Sequence, residues 1–187
     1  IRFYHRTIKK KILVKLQPNQ NYKIIQRKVF TPDECKKILK SEVTPAGFTT
    51  YNHMRKLNLL ERNDNNKWLR DRIEKELFLI NKRHFGYRDV YLQNDIGLRV
   101  YKKSESYIWH TDNFAGQRLS MSLLLDDDFD GGDMSMFTGD FVMPKKQVGV
   151  MTVWQPFLFH AVDEVTRGER PVLLTFLQGP RFEFFNK

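Results

Sequence analysis

From about Asn94 the chain breaks into short segments rich in branched and aromatic residues, each closed by a turn signal: IGLRVY, SYIWHTD, RLSMSLLL, DMSMF, VGVMTVW, FLFHAV and RPVLLTFL. That rhythm belongs to an antiparallel sandwich or barrel and leaves no room for the crossover helices of βαβ units. Ahead of it, residues 22–30 (YKIIQRKVF) read as a strand. The stretch TPDE follows, with Thr31 placed to cap a helix, Pro32 at its first position and Glu34 to close a capping box. A helix to about Lys40 is predicted, burying Cys35, Ile38 and Leu39. A second, over 65–83, has Trp68, Leu69, Ile73, Leu77 and Ile80 on its apolar side. The predicted architecture is therefore mainly β with flanking helices, as a single domain over 1–187. Its support spans 1–90 and its β-core 91–182. Segment 43–64 reads equally as a lid or as a plain connector.

Composition narrows the class. Hydrophobic residues are 41% of the 187, with 15 Phe, so a sizeable core is within reach and a disordered chain is excluded. No apolar run approaches the roughly 20 residues of a membrane span. A single cysteine, Cys35, excludes a disulfide framework and a Cys-rich zinc module. With no secretory signal visible in the sequence, which opens at Ile1, the expectation is a soluble, cytoplasmic protein. Cys35 reads as a small core residue and not as a nucleophile, since no His/Asn context surrounds it.

The net charge of +10 is unevenly spread. Residues 1–32 carry Arg2, Arg6, Lys9, Lys10, Lys11, Lys15, Lys23, Arg27 and Lys28 and no acid, whereas 119–144 carry six Asp and no Lys or Arg. A basic flank attracts nucleic acid non-specifically. A solvated, solubilising edge is the favoured reading, because no exposed aromatics are interleaved with the charges.

The chemistry gathers around His110-Thr111-Asp112. On a strand, residues i and i+2 face the same way, so this pair presents an imidazole and a carboxylate together. His160 lies in another strand-like segment fifty residues on. Two His and one carboxylate from neighbouring strands form the facial triad of non-haem Fe(II) sites, which leaves three coordination positions open. Alone the pattern is weak, since about one chain in three of this composition carries His-x-Asp by chance. Arg170 strengthens it. A turn at Gly168 brings a guanidinium, suited to holding a carboxylate in a bidentate pair, back toward the metal. Tyr101 and Tyr107 precede His110 by nine and three residues, and Gly131-Gly132 marks a bend at a barrel corner. Trp109, Met121, Leu123, Trp154 and Phe176 are candidates for the apolar wall, although each reads first as barrel core. The acidic run 126–133 imitates the start of a calcium loop, but its twelfth position is Phe137 where the bidentate Glu belongs. It is read as an acidic turn at the barrel rim. His5, His53 and His84 have no ligand-spaced partners.

YKKSESYIWHTD, GQRLSMSLLL, FDGGDM and HAVDEVTRGER together resemble the Fe(II)- and 2-oxoglutarate-dependent dioxygenases, and within them the prolyl 4-hydroxylase-like branch. The resemblance covers 90–180 and, more loosely, 22–40. It implies a double-stranded β-helix (jelly-roll) core supported by N-terminal α-helices. It also implies iron on His110, Asp112 and His160, the distal carboxylate of 2-oxoglutarate on Arg170, and Tyr101 hydrogen-bonded to the cosubstrate. Arg118 and Tyr107 would help to seat a peptide. The implied reaction hydroxylates a substrate C–H, first of all on a prolyl residue of a peptide or protein, and releases succinate and CO2. The implied cofactors are Fe(II), 2-oxoglutarate and O2, with ascorbate as an accessory. Two departures stand out: Ser104 where the branch usually has Gly, and Phe176 where a Trp is common, which keeps the apolar wall but loses an indole N–H. The alternatives are the same chemistry on a nucleic-acid base or a small metabolite, and a non-enzymatic jelly-roll binding module. The base-repairing relatives carry a second Arg where this chain has Phe176, which disfavours a nucleic-acid substrate. The sequence leaves the oligomeric state open.

Overall fold

The computed structural model describes residues 23–48, 55–60, 63–112 and 116–180. Most of the basic flank, and parts of segment 43–64, lie outside the described residues. In chain order the elements are β1 (Ile24–Lys28), α1 (Pro32–Leu39), β2 (Val43–Phe48), β3 (Arg55–Leu60), α2 (Asp64–Ile80), β4 (Tyr91–Leu92), β5 (Gly97–Tyr101), β6 (Tyr107–His110), β7 (Gln117–Leu124), β8 (Phe129–Gly131), β9 (Met134–Phe137), β10 (Phe141–Val142), β11 (Val150–Trp154), β12 (Phe159–Val162), β13 (Val165–Gly168) and β14 (Arg170–Gln178).

The large sheet runs β1-β11-β7-β14-β5-β3-β2, with β4 added on β14, and the small one β10-β9-β12-β6. Every pairing between strands is antiparallel. From β5 onward the chain alternates between the two sheets: β5 large, β6 small, β7 large, β9 and β10 small, β11 large, β12 small, β14 large. This alternation is the jelly roll, the double-stranded β-helix that the segment rhythm and the motifs anticipated.

Strand β7 shows how the sequence sorts the two faces. Leu119, Met121 and Leu123 join the main core with Leu69, Ile73 and Leu77 of α2 and Cys35 and Ile38 of α1, whereas Ser120 and Ser122 line an interior cavity. The helices thus cover the outer face of the large sheet, and the inner face is left for a site. Helix α1 starts as its residues dictate. Thr31 Oγ accepts from the Glu34 amide at 3.2 Å, and the Glu34 carboxylate accepts from the Thr31 amide at 2.9 Å. Burial pushes the Cys35 thiol up to about 11, which keeps it protonated and inert at neutral pH. Helix α2 begins at Asp64, capped by the Asn63 side chain, and ends at Ile80. The chain then widens into a π turn over Asn81–Phe85 that closes on Gly86, so the expected reach to 83 was nearly right in extent but not in winding.

The β2–β3 hairpin was not anticipated as strand. Pro45 and Gly47 discourage that reading, yet β2 is the outermost strand of the large sheet, where a missing N–H costs least. In the acidic turn, Arg167 holds Asp130 at 2.7 Å and Asp128 at 2.9 Å, beside the β8–β13 pairing. Ser104 takes a left-handed backbone, φ 67°, the conformation that a glycine adopts freely. Among the described residues, no helix is long and apolar enough to cross a membrane.

Candidate metal and anion site

His110 ends β6 and His160 lies on β12, paired directly across the small sheet. Asp112 falls just beyond the end of β6, not on the strand as the i, i+2 argument assumed. It is brought back by its own amide, which donates to the Pro156 carbonyl at 2.8 Å. The outcome is the expected juxtaposition by another route. Asp112 Oδ1 lies 3.6 Å from His110 Nε2, and Oδ2 lies 3.4 Å from His160 Nε2.

The tautomers follow from the second nitrogens. His110 Nδ1 sits 2.8 Å from the Ile108 carbonyl, and His160 Nδ1 sits 2.8 Å from the Leu158 carbonyl. A carbonyl only accepts, so each Nδ1 carries the proton and each Nε2 offers a lone pair to the shared space. Three donor atoms within 4.8 Å of one another could hold one metal ion. Donors 2.0–2.2 Å from a common ion lie about 3 Å apart, close to the separations found. Burial pushes His160 down, against the pull of Asp112, which favours the neutral ligand form. Burial works to raise Asp112, but its contacts with His110 and His160 outweigh it and hold the carboxyl below its usual range.

A bulge in β6 aims the tyrosine. His160 pairs with His110 and Val162 with Tyr107, so three steps on β6 match two on β12. Tyr107 and His110 therefore both line the cavity, their ring centroids 3.8 Å apart. Ile108 is turned out, 63% exposed. Trp109, expected as a wall, instead stacks on Phe159 at 5.3 Å and meets Phe141 at 5.6 Å, among the exposed aromatics. Leu123 and Met121 belong to the core, Met121 also bordering the cavity, and Trp154 and Phe176 line it. Trp154, Ser120 and Phe176 form one row across β11, β7 and β14.

Arg170 opens β14 directly opposite Tyr101 of β5. It is 5% exposed and lines the same cavity, and its Nε has no hydrogen-bond partner. Burial pushes its pKa down, with Tyr101 and Asp133 working in the opposite sense. A buried guanidinium with an unpartnered Nε is costly to fold around, and it fits an anion that arrives from outside. The paired glycines explain the room it needs. Gly132 has φ 60°, and a Cβ there would lie 2.8 Å from Arg170 Cδ and 3.0 Å from Val165 Cγ2. Gly132→Ala is expected to cost about 1–3 kcal/mol of stability by urea unfolding and to weaken any anion bound at Arg170. A variant with both properties unchanged would deny Gly132 this role.

Arg118 is 8% exposed, but its guanidinium donates to the Pro180 and Gln117 carbonyls and does not reach the cavity wall. Sequence reasoning missed Arg99, which is buried and stacked on Tyr101. The available signal was its position two residues before Tyr101, on the same face of a strand. The cavity measures about 60 Å³. A larger cleft of about 440 Å³ runs along α2 between Leu60, Arg70 and Ile96, away from the trio and Arg170.

Solved structures share this architecture. A Pseudomonas putida prolyl-4-hydroxylase superposes with a TM-score of 0.64 at 19% identity, over 84% of this chain and 93% of its own. A Trichoplax adhaerens prolyl hydroxylase, solved with a hypoxia inducible factor peptide, gives 0.65 at 14% identity, over 86% and 84%. A viral collagen prolyl hydroxylase from Paramecium Bursaria Chlorella virus-1, solved with 2-oxoglutarate, gives 0.61 at 14% identity, over 87% and 98%. The fold is the one these prolyl hydroxylases share. No family model and no curated protein sequence matches the chain.

Proposed function

We propose that the protein is an Fe(II)- and 2-oxoglutarate-dependent dioxygenase that hydroxylates a prolyl residue in a peptide or protein. One observation carries the reading. A single cavity holds a His-Asp-His trio whose donor atoms lie within 4.8 Å of one another, and a buried arginine whose Nε lacks a partner. A metal ion and an anionic cosubstrate answer those two needs. The prolyl assignment rests on the fold shared with three prolyl hydroxylases, one of them bound to a peptide and another to 2-oxoglutarate.

His110, Asp112 and His160 would hold the iron, and Arg170 would pair with the distal carboxylate of 2-oxoglutarate. When bound, iron and cosubstrate supply the oxidative decarboxylation that yields succinate and CO2 and places one oxygen of O2 on a substrate carbon. The chain's own tasks are narrower. The Ile108 and Leu158 carbonyls fix the imidazole tautomers. Tyr101 stands opposite Arg170 and lines the same cavity, where its phenol would hydrogen-bond to the cosubstrate. Trp154, Phe176 and Leu174 exclude water from the reacting centre. Tyr107 would border the substrate from the cavity wall, and Arg118 would act from outside it, where its guanidinium is held by the Gln117 and Pro180 carbonyls.

Arg118→Ala is expected to weaken peptide hydroxylation at least tenfold more than peptide-free decarboxylation of 2-oxoglutarate. Equal losses in both would make Arg118 a strut for residues 178–180. The substrate assignment is tested with a panel of proline-containing peptides, Fe(II), 2-oxoglutarate, ascorbate and O2, read by mass spectrometry. The expected result is one added oxygen on a proline of at least one peptide, lost when Fe(II) or 2-oxoglutarate is omitted. Turnover of 2-oxoglutarate that no peptide stimulates would remove the prolyl assignment and favour a small-molecule or nucleic-acid substrate.

A further inference from the structure

A second buried arginine, packed behind two tyrosines of the cavity wall, has no task in this scheme. Arg99 lies on β5 two residues before Tyr101 and on the same face, its Cα paired with Leu57 of β3 on one side and Val172 of β14 on the other. It is 8% exposed, and its Nε lacks a hydrogen-bond partner. Among the described residues no carboxylate forms an ion pair with it. Its guanidinium carbon sits 4.0 Å from the Tyr101 ring centroid and 5.4 Å from that of Tyr107. The Tyr107 ring is in turn 3.8 Å from that of His110, so Arg99 packs on two tyrosines that line the cavity of the trio. Arg170 approaches the Tyr101 ring to 5.3 Å.

The charge of Arg99 is uncompensated among the described residues. With Asp112 committed to the metal trio and the cosubstrate to Arg170, neither of these groups offers Arg99 a counter-ion. The acid nearest Arg170, Asp133, is engaged by Lys146 at 3.1 Å. Aromatic stacking relieves a buried cation only in part, and a chain that needed no more than packing there would be served by an apolar residue.

We propose that Arg99 binds a carboxylate of the primary substrate, so that the enzyme prefers a peptide carrying Asp or Glu beside the residue it hydroxylates. The inference rests on the dioxygenase reading for the identity of the site, and its test separates the two. In Zn(II)-loaded protein, which cannot turn over, the side-chain Nε–H signals of Arg99 and Arg170 are followed by ¹⁵N NMR and assigned with Arg99→Lys. 2-Oxoglutarate is expected to move the Arg170 signal, and acetate added after saturation to move that of Arg99. If 2-oxoglutarate alone moves Arg99 and acetate adds nothing, Arg99 serves the cosubstrate and the proposal falls. If neither moves it, Arg99 is a strut for the tyrosines and the proposal falls. If acetate moves Arg99 while 2-oxoglutarate leaves Arg170 untouched, the anion site stands and the dioxygenase reading fails. A companion measurement compares binding of proline peptides made in Glu and Gln forms. The wild type is expected to favour Glu roughly tenfold or more, and Arg99→Gln to lose that preference. Glu and Gln forms that behave alike on the wild type would overturn the proposal.

Discussion

His110→Ala and Asp112→Ala are each expected to abolish turnover of 2-oxoglutarate, with a loss well beyond the 10- to 100-fold typical of residues that merely support metal ligands. Folding should survive. His110 and Asp112 keep 18% and 15% of their side-chain surface exposed, and neither belongs to the apolar core. A change in Tm of no more than a few degrees is therefore expected, the shift that about 1 kcal/mol produces in a chain of this size. The check is succinate release beside a thermal melt for each variant. Full activity in either would refute the trio as the metal site, and loss of activity only together with loss of folding would leave those residues structural.

The second large effect is at Arg170, where function and stability are expected to move apart. Arg170→Met removes the guanidinium and keeps an unbranched side chain of similar reach. A charge-assisted pair is worth about 1.5–3 kcal/mol, so the 2-oxoglutarate concentration needed for half-maximal turnover should rise about 10- to 100-fold. Metal affinity should change little, because Arg170 is not one of the three donors. The unliganded variant should melt no lower than the wild type. Arg170 is buried with an unpartnered Nε, and replacing such a charge by an apolar group relieves a desolvation cost. An unchanged 2-oxoglutarate requirement would remove its assigned role. A large fall in Tm would show that the arginine serves the fold.

Much of this was legible in the sequence because it depends on local rules. The capping box at Thr31–Glu34, the alternation along β7 and the spacing of strand segments each follow from neighbouring residues alone. His110, Asp112 and His160 could be gathered because a motif held them together. What was not legible depended on neighbours distant in sequence. Pro45 and Gly47 argue against a strand until it is known that β2 lies at a sheet edge. The i, i+2 argument placed Asp112 on a strand, but it is the Pro156 carbonyl that fixes its backbone. Trp109 looked like a pocket wall, and the β6 bulge turned it outward while admitting Tyr107. Arg99 was passed over because an arginine in a strand is ordinarily solvated, and only its burial against Tyr101 singles it out.

The most direct test of the central claim is succinate release from 2-oxoglutarate by the purified protein, measured with and without Fe(II) and without any peptide. Slow release that requires Fe(II), and that is lost in His110→Ala and Asp112→Ala, is expected. No release from protein demonstrably loaded with one Fe(II) per chain would contradict the claim and leave a metal-binding jelly roll that is not a dioxygenase.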